Sequence, residues 1–258
     1  TTDNGDAYEV GGRGELQLGV LIETMRREGY EMSISRPRVV IKTDPSTGQR
    51  LEPIEEVMID VDNDYSGVVM EKLGIRRAEL LDMRPSGGGK TRMVFHAPTR
   101  GLIGYHPEFM TDTRGTGVMN RVFHAYAPSR GDVPQRQNGV LIATSDGTAV
   151  PYALWNLEDR GELFITAGAA VYQGMIIGEN ARTGDLDVNP LKAKQLTNIR
   201  ASGKDDAVRL SPHRRMALEA ALTYIEDDEL VEVTPKTVRL RKRLLLPHER
   251  KRASRAAS

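Results

Sequence analysis

The sequence has 258 residues in which 36 Lys and Arg are balanced by 36 Asp and Glu, so no overall field selects a polyanionic or polycationic partner. It contains no cysteine, which excludes disulfides and thiolate metal centres and fits a reducing compartment. No apolar run approaches the ~20 residues needed to cross a bilayer, and the first residues have neither the basic nor the apolar part of a signal peptide, so the expectation is a soluble cytoplasmic protein.

Residues 7–10 are predicted to form a short strand, turned by Gly11-Gly-Arg-Gly14. Residues 15–28 read as a helix, because Leu18, Leu21, Ile22 and Met25 recur at helical spacing and Gly29 suits the position after its end. Residues 30–34 alternate as a strand that stops at Arg36-Pro37. A β-α-β segment of roughly forty residues buries too little apolar surface to stand alone. The expectation is therefore that the chain opens partway through a domain, with an unpaired sheet edge near its start.

Residues 51–128 carry a fuller pattern. Val57, Ile59 and Val61 alternate in a strand, and Ser66 can cap a helix bearing Val69, Met70 and Leu73 before Gly74. Two strand-like stretches, 79–83 and 92–96, flank Gly87-Gly-Gly-Lys-Thr91. That run resembles the end of a phosphate-binding P-loop. However, the required first glycine would fall at Arg84, and strand residues rather than a helix follow Lys90, so a flexible hairpin is the expectation. A helical stretch over 101–110, interrupted or restarted at Pro107, and a strand over 118–126 complete a β-α-β-β-α-β order. This is the split βαβ, or ferredoxin-like, arrangement, with both helices on one face of an antiparallel sheet. Asp60, Asp62, Asp64 and Glu71 mimic calcium-loop spacing, but Tyr65 occupies the position that needs glycine and the preceding segment is a strand.

From Pro128 short strands separated by glycines predict a β-rich unit: 139–144, 163–165, 170–172 and 175–177, with a short helix over 151–158. A main helix is expected from Ser211 through Met216, Leu218, Leu222 and Ile225, followed by strands at 230–233 and 237–241 around Pro235. The fold class is thus α+β: a partial and then a complete ferredoxin-like unit, followed by a β-rich unit with one main helix. The expected divisions are 1–43, 44–128 and 129–258.

Catalytic chemistry is not indicated. The five histidines, His96, His106, His124, His213 and His248, lack metal-ligand spacing, and no serine sits in a nucleophile motif. Residues 192–204 are different, because they combine Lys192, Lys194, Arg200 and Lys204 with Gln195, Thr197, Asn198 and Ser202 and contain no acid. Cations beside hydrogen-bonding side chains suit phosphate and sugar contacts on RNA; an exposed loop is the plainer alternative. A second basic run, 236–255, holds a single acid, Glu249.

Several segments together resemble known proteins. Gly12-Arg-Gly-Glu-Leu16, residues 23–30 and Ser35-Arg-Pro37 resemble the end of domain III in translational GTPases related to elongation factor G. Arg100-Gly-Leu-Ile-Gly-Tyr105, Thr113-Arg-Gly-Thr-Gly117 and Phe123-His-Ala-Tyr126 resemble their domain V. Arg136-Gln-Asn-Gly139, Glu158-Asp-Arg-Gly161, Val171-Tyr-Gln-Gly-Met-Ile-Ile-Gly178, Lys194-Gln-Leu-Thr-Asn198, Arg200-Ala-Ser-Gly203 and residues 227–235 are similar to the BipA (TypA) family within that superfamily. The resemblance implies a ribosome-binding carboxy-terminal half that docks in the A site, regulates translation under stress and contributes to large-subunit assembly. It implies no cofactor in this chain, with GTP and Mg²⁺ belonging to an amino-terminal half. The implied partners are large-subunit rRNA and the acceptor end of A-site tRNA, with no membrane and no DNA, and the implied state is a monomer. The contact residues implied are Lys192, Lys194, Gln195, Leu196, Thr197, Asn198, Ile199, Arg200, Ser202 and Lys204. No catalytic or metal-binding residue is implied, and a protein-interaction module without RNA contact is the competing expectation.

Overall fold

The computed structural model describes residues 7–133, 136–193 and 209–257. Residues 7–10 are not a strand but irregular chain. Helix α1 (Glu15–Arg27) follows, with Gly19 and Ile22 buried. Glu23 accepts hydrogen bonds from Arg26 and Arg27 at 2.9 Å, placing two cations near the negative end of the helix dipole. Gly29 adopts φ 97° and lets the chain reverse into β1 (Met32–Ser35).

The chain divides into two compact units, residues 37–135 and residues 1–36 with 136–258. The first contains β2 (Lys42–Thr43), β3 (Arg50–Asp62), α2 (Ser66–Ile75), β4 (Glu79–Gly87), β5 (Lys90–Pro98), α3 (Thr99–Leu102), α4 (Tyr105–Asp112) and β6 (Val118–Pro128). Its antiparallel sheet runs β4-β5-β3-β6, with β2 on the start of β3. This is the ferredoxin-like strand order that the β-α-β-β-α-β pattern predicts. Residues 57–62 of β3 and 90–96 of β5 alternate: Val57, Ile59, Val61, Met93 and Phe95 are buried in one core with Val69, Leu73, Tyr105 and Phe109 of the helices. The helical break predicted near Pro107 falls instead at Ile103-Gly104, where Gly104 is left-handed (φ 71°). Pro107 fits within the first turn of α4, whose N–H groups have no intrahelical partner to lose.

The second unit contains α1, β1, β7 (Val140–Ala143), β8 (Gly147–Thr148), α5 (Pro151–Glu158), β9 (Gly161–Leu163), β10 (Ala170–Val171), β11 (Met175–Asn180), β12 (Leu186–Val188), α6 (Leu218–Tyr224), β13 (Glu229–Val233), β14 (Val238–Lys242) and α7 (Pro247–Ala257). Its main sheet runs β1-β13-β14-β11-β7-β12, with β9 added to β11 and β8 paired separately with β10. The run Val140-Leu-Ile-Ala143 is apolar throughout because both faces of its strand are covered. Val140 and Ile142 join Ile22, Leu222 and Val231 in one core, while Leu141 and Ala143 join Leu154, Ile177 and Val188 in another.

β1 pairs antiparallel with β13, Met32 opposite Val233 and Ser35 opposite Leu230, and its other side has no partner among the described residues. The helix expected from Ser211 starts only at Leu218. The preceding residues have no regular structure, and the Arg214 N–H donates to the Leu163 carbonyl of β9 at 2.8 Å. The last helix, α7, was not anticipated; Pro247 at its start and Glu249 in its first turn are the signals that announce it.

Candidate RNA interface

Of the predicted contact residues, only Lys192 is described; Lys194, Gln195, Leu196, Thr197, Asn198, Ile199, Arg200, Ser202 and Lys204 lie outside the described residues. The residues on either side of that segment are bonded to the rest of the unit. On the incoming side Asn189 accepts a hydrogen bond from the Leu191 N–H at 2.9 Å, and the Pro190 carbonyl accepts one from the Val150 N–H at 3.0 Å. Leu191 packs on the core beside Gly147. On the outgoing side Leu210 enters the same core, and the Ser211 N–H donates to Glu158 at the end of α5. Both ends are therefore bonded to α5 or to the residue before it.

Basic side chains are exposed at these ends: Lys192 on one, Arg209 and Arg215 on the other. Arg214 is used structurally. Its guanidinium lies 3.2 Å from Glu179 and over the rings of Phe164 and Tyr224. A second cationic surface belongs to α7, where Lys251, Arg252 and Arg255 are exposed. Arg250 ties that helix down, pairing with Asp187 of β12 and donating to the Leu245 carbonyl at 2.7 Å. Because β12 leads straight into Asn189, α7 is fastened to the strand that feeds the predicted contact segment. α5 itself presents Trp155, half exposed, with the Tyr152 ring 6.4 Å away.

The tail segments that carry the resemblance are largely scaffold. Arg136 forks onto Glu229, fully buried, at 2.9 and 3.1 Å. Lys242, also buried, reaches Asp185 at 2.6 Å and Asp228 and Glu229 at 2.9 Å. Tyr172 donates to Glu232 at 2.9 Å. In the other unit Arg100 pairs with the buried Glu52, which also accepts from the Arg130 N–H at 2.8 Å. No sequence pattern marks these partners, because each pair joins residues far apart in the chain.

The nucleotide and calcium look-alikes resolve into ordinary structure. Gly87, Gly88 and Gly89 all have positive φ and form the tip of the β4–β5 hairpin, with a strand and not a helix after Lys90. That tip lacks the row of helix N–H groups a phosphate would need. Asp60 is forked by Arg92 at 2.9 Å on both oxygens, and Asp62 accepts from the Thr116 hydroxyl at 2.9 Å.

Comparison with known proteins places these features. The profile of the TypA/BipA C-terminal domain matches residues 138–247, and that of the elongation factor G C-terminus matches residues 49–137. The large ribosomal subunit assembly factor BipA of Escherichia coli K12 is 52% identical over 256 residues, covering 99% of this chain and 42% of that protein. The factors of the same name from Haemophilus influenzae and Bacillus subtilis are 50% and 47% identical, covering 100% and 98% of this chain. This chain spans 42% and 41% of their lengths. The chain belongs to the TypA/BipA family and corresponds to the carboxy-terminal part of its members.

Proposed function

We propose that this chain is the ribosome-binding portion of a translational GTPase that acts in large-subunit assembly and in translation under stress. The observation that carries this reading is the 52% identity, over 99% of the chain, to a protein named as a large ribosomal subunit assembly factor. In this reading GTP and Mg²⁺ are handled by a part of the protein other than these residues. The carboxy-terminal unit occupies the A site, and residues 192–204 meet rRNA and the acceptor end of tRNA.

The physical basis is electrostatic. Lys192, Lys194, Arg200 and Lys204 neutralise phosphates and release counterions, while Gln195, Thr197, Asn198 and Ser202 hydrogen-bond sugar and phosphate oxygens. Exposed Arg209, Arg215 and the cations of α7 enlarge the positive surface, and half-exposed Trp155 offers a ring for stacking.

The test is binding to large subunits by co-sedimentation across a salt series, using the full-length protein with GTP. Lys194→Ala with Arg200→Ala should weaken binding and lower the slope of log affinity against log salt by about two, close to one per lost phosphate contact. Curves that superimpose with those of the unmodified protein would leave the segment without a binding role. Ribosome binding with no salt dependence at all would favour instead a module that docks on ribosomal protein alone.

A further inference from the structure

The sequence spacing gives the histidines no ligand pattern, yet the sheet of residues 37–135 assembles two of them. β5 and β6 flank β3 on opposite sides, and Glu56 of β3 sits directly opposite His96 of β5. On the other side the β3–β6 register slips: Ile54 faces Ala125 but Glu55 faces Phe123, so His124 is the extra residue of a bulge. A bulge re-aims a side chain out of the regular alternation. Here the His124 ring reaches across β3 to lie 4.0 Å, centre to centre, from the His96 ring, with 30° between their planes. One carboxylate oxygen of Glu56 and one ring nitrogen from each histidine lie within 4.8 Å of one another.

We propose that Glu56, His96 and His124 form a binding site for a divalent cation of the zinc class, with its remaining position open to water. Two imidazole nitrogens and one carboxylate oxygen are the donor types that such an ion takes in open sites. Zinc bonds of ~2.0–2.1 Å set tetrahedral donor separations of about 3.3 Å. The Glu56–His96 pair is already at 3.8 Å. Glu56 and His124 are exposed, so turning their side chains toward the ion opens no core, whereas His96 is half-buried and fixes the site's position. Glu56 supplies the negative charge. The neighbouring cation Arg130 is committed elsewhere, at 3.0 Å from both Glu79 and the His96 carbonyl. The other acidic cluster, Glu226, Asp228 and Glu229, offers no such vacancy, because Lys242 and Arg136 already hold it.

The experiment is titration of the untagged chain with Zn²⁺ in competition with a chromophoric chelator, with Co²⁺ absorption as a second readout. One equivalent should bind, and Co²⁺ should give visible bands of nitrogen–oxygen coordination. His96→Gln and His124→Gln should each lower Zn²⁺ affinity at least tenfold and abolish the Co²⁺ bands, Glu56→Gln should lower it less, and His248→Ala on α7 should not change it. Melting without metal checks that each variant folds. His124→Gln is the decisive variant, since its exposed ring can be removed without opening a core. Unchanged affinity in that variant, or the absence of a saturable one-equivalent event in the unmodified chain, overturns the site and leaves a cross-strand ring stack.

Discussion

Lys242 shows what a single buried charge demands. Only 2% of its side chain is exposed, and an unpaired ammonium there would lose its hydration without return. Asp185, Asp228 and Glu229 supply that return, and Arg136 pairs with the same Glu229 carboxylate. Burial by itself would raise the Glu229 pKa, but the Arg136 hydrogen bonds and the Lys242 charge outweigh it and hold the carboxyl below 4.5. With a folded-state value below the unfolded one, the unfolded chain binds more protons in acid. The stabilisation from Glu229 is therefore complete above about pH 4.5 and is lost as pH falls through the folded-state value. Glu226 opposes this in part, because its burial raises its own pKa. Glu229→Gln should cost about 3 kcal/mol at pH 7 by removing the buried carboxylate that Arg136 and Lys242 share, and should flatten the acid side of the stability profile. Chemical denaturation at pH 7 and over pH 3–5 measures both effects; an unchanged slope would mean that Glu229 titrates as it does in the unfolded chain. Tyr105 is the opposite case. Its ring fills the core of the other unit beneath Arg76, but its hydroxyl is buried with no hydrogen-bond partner among the described residues. Tyr105→Phe should leave stability unchanged or raise it by up to about 1 kcal/mol. A loss larger than that would reveal a partner for the hydroxyl.

At the scale of elements, alternation was the readable signal. The period-two pattern of Val57, Ile59 and Val61 places β3, and the continuous apolar run at 140–143 places a strand buried on both faces. Helix limits were less legible. Met216, Leu218 and Leu222 carry helical spacing, but residues 211–217 are irregular and bonded through the Arg214 N–H to Leu163, a contact that no local pattern records. The glycines of the resemblance were visible as letters, and their reason appears only in three dimensions. A Cβ on Gly139 would sit 1.9 Å from the Gly184 carbonyl oxygen, and one on Gly161 would sit 1.8 Å from that of Glu179. In both cases the neighbour is backbone, so it cannot rotate away as a side chain could. Gly139→Ala should thus lower the melting temperature by several degrees, more than Gly29→Ala, where only φ is strained and space is open. Equal shifts would show that the backbone there moves freely. The candidate RNA segment was legible by its composition, a cluster of cations without acids, whereas the His96–His124 pairing depends on a bulge that sequence spacing does not reveal.

At the scale of the whole chain, the unit of residues 1–36 and 136–258 is discontinuous, and residues 37–135 are a continuous insertion within it. The two cut points lie close together. Ser35 pairs with Leu230, and the adjacent Glu229 holds Arg136. Joining Arg36 to Arg136 by a short Gly-Ser linker, with residues 37–135 removed, should therefore yield a folded unit with cooperative melting. A molten, non-cooperative product would show that the insertion is required. The same discontinuity sets an order in time. β3, β5 and β6 all come from one continuous stretch, but β1 must wait for β13, roughly two hundred residues later in synthesis. The middle of the chain can close its sheet before β13 is made, so a nascent chain halted before Glu229 should protect Val57–Val61 amides from exchange while the β1–β13 hydrogen bonds are still absent.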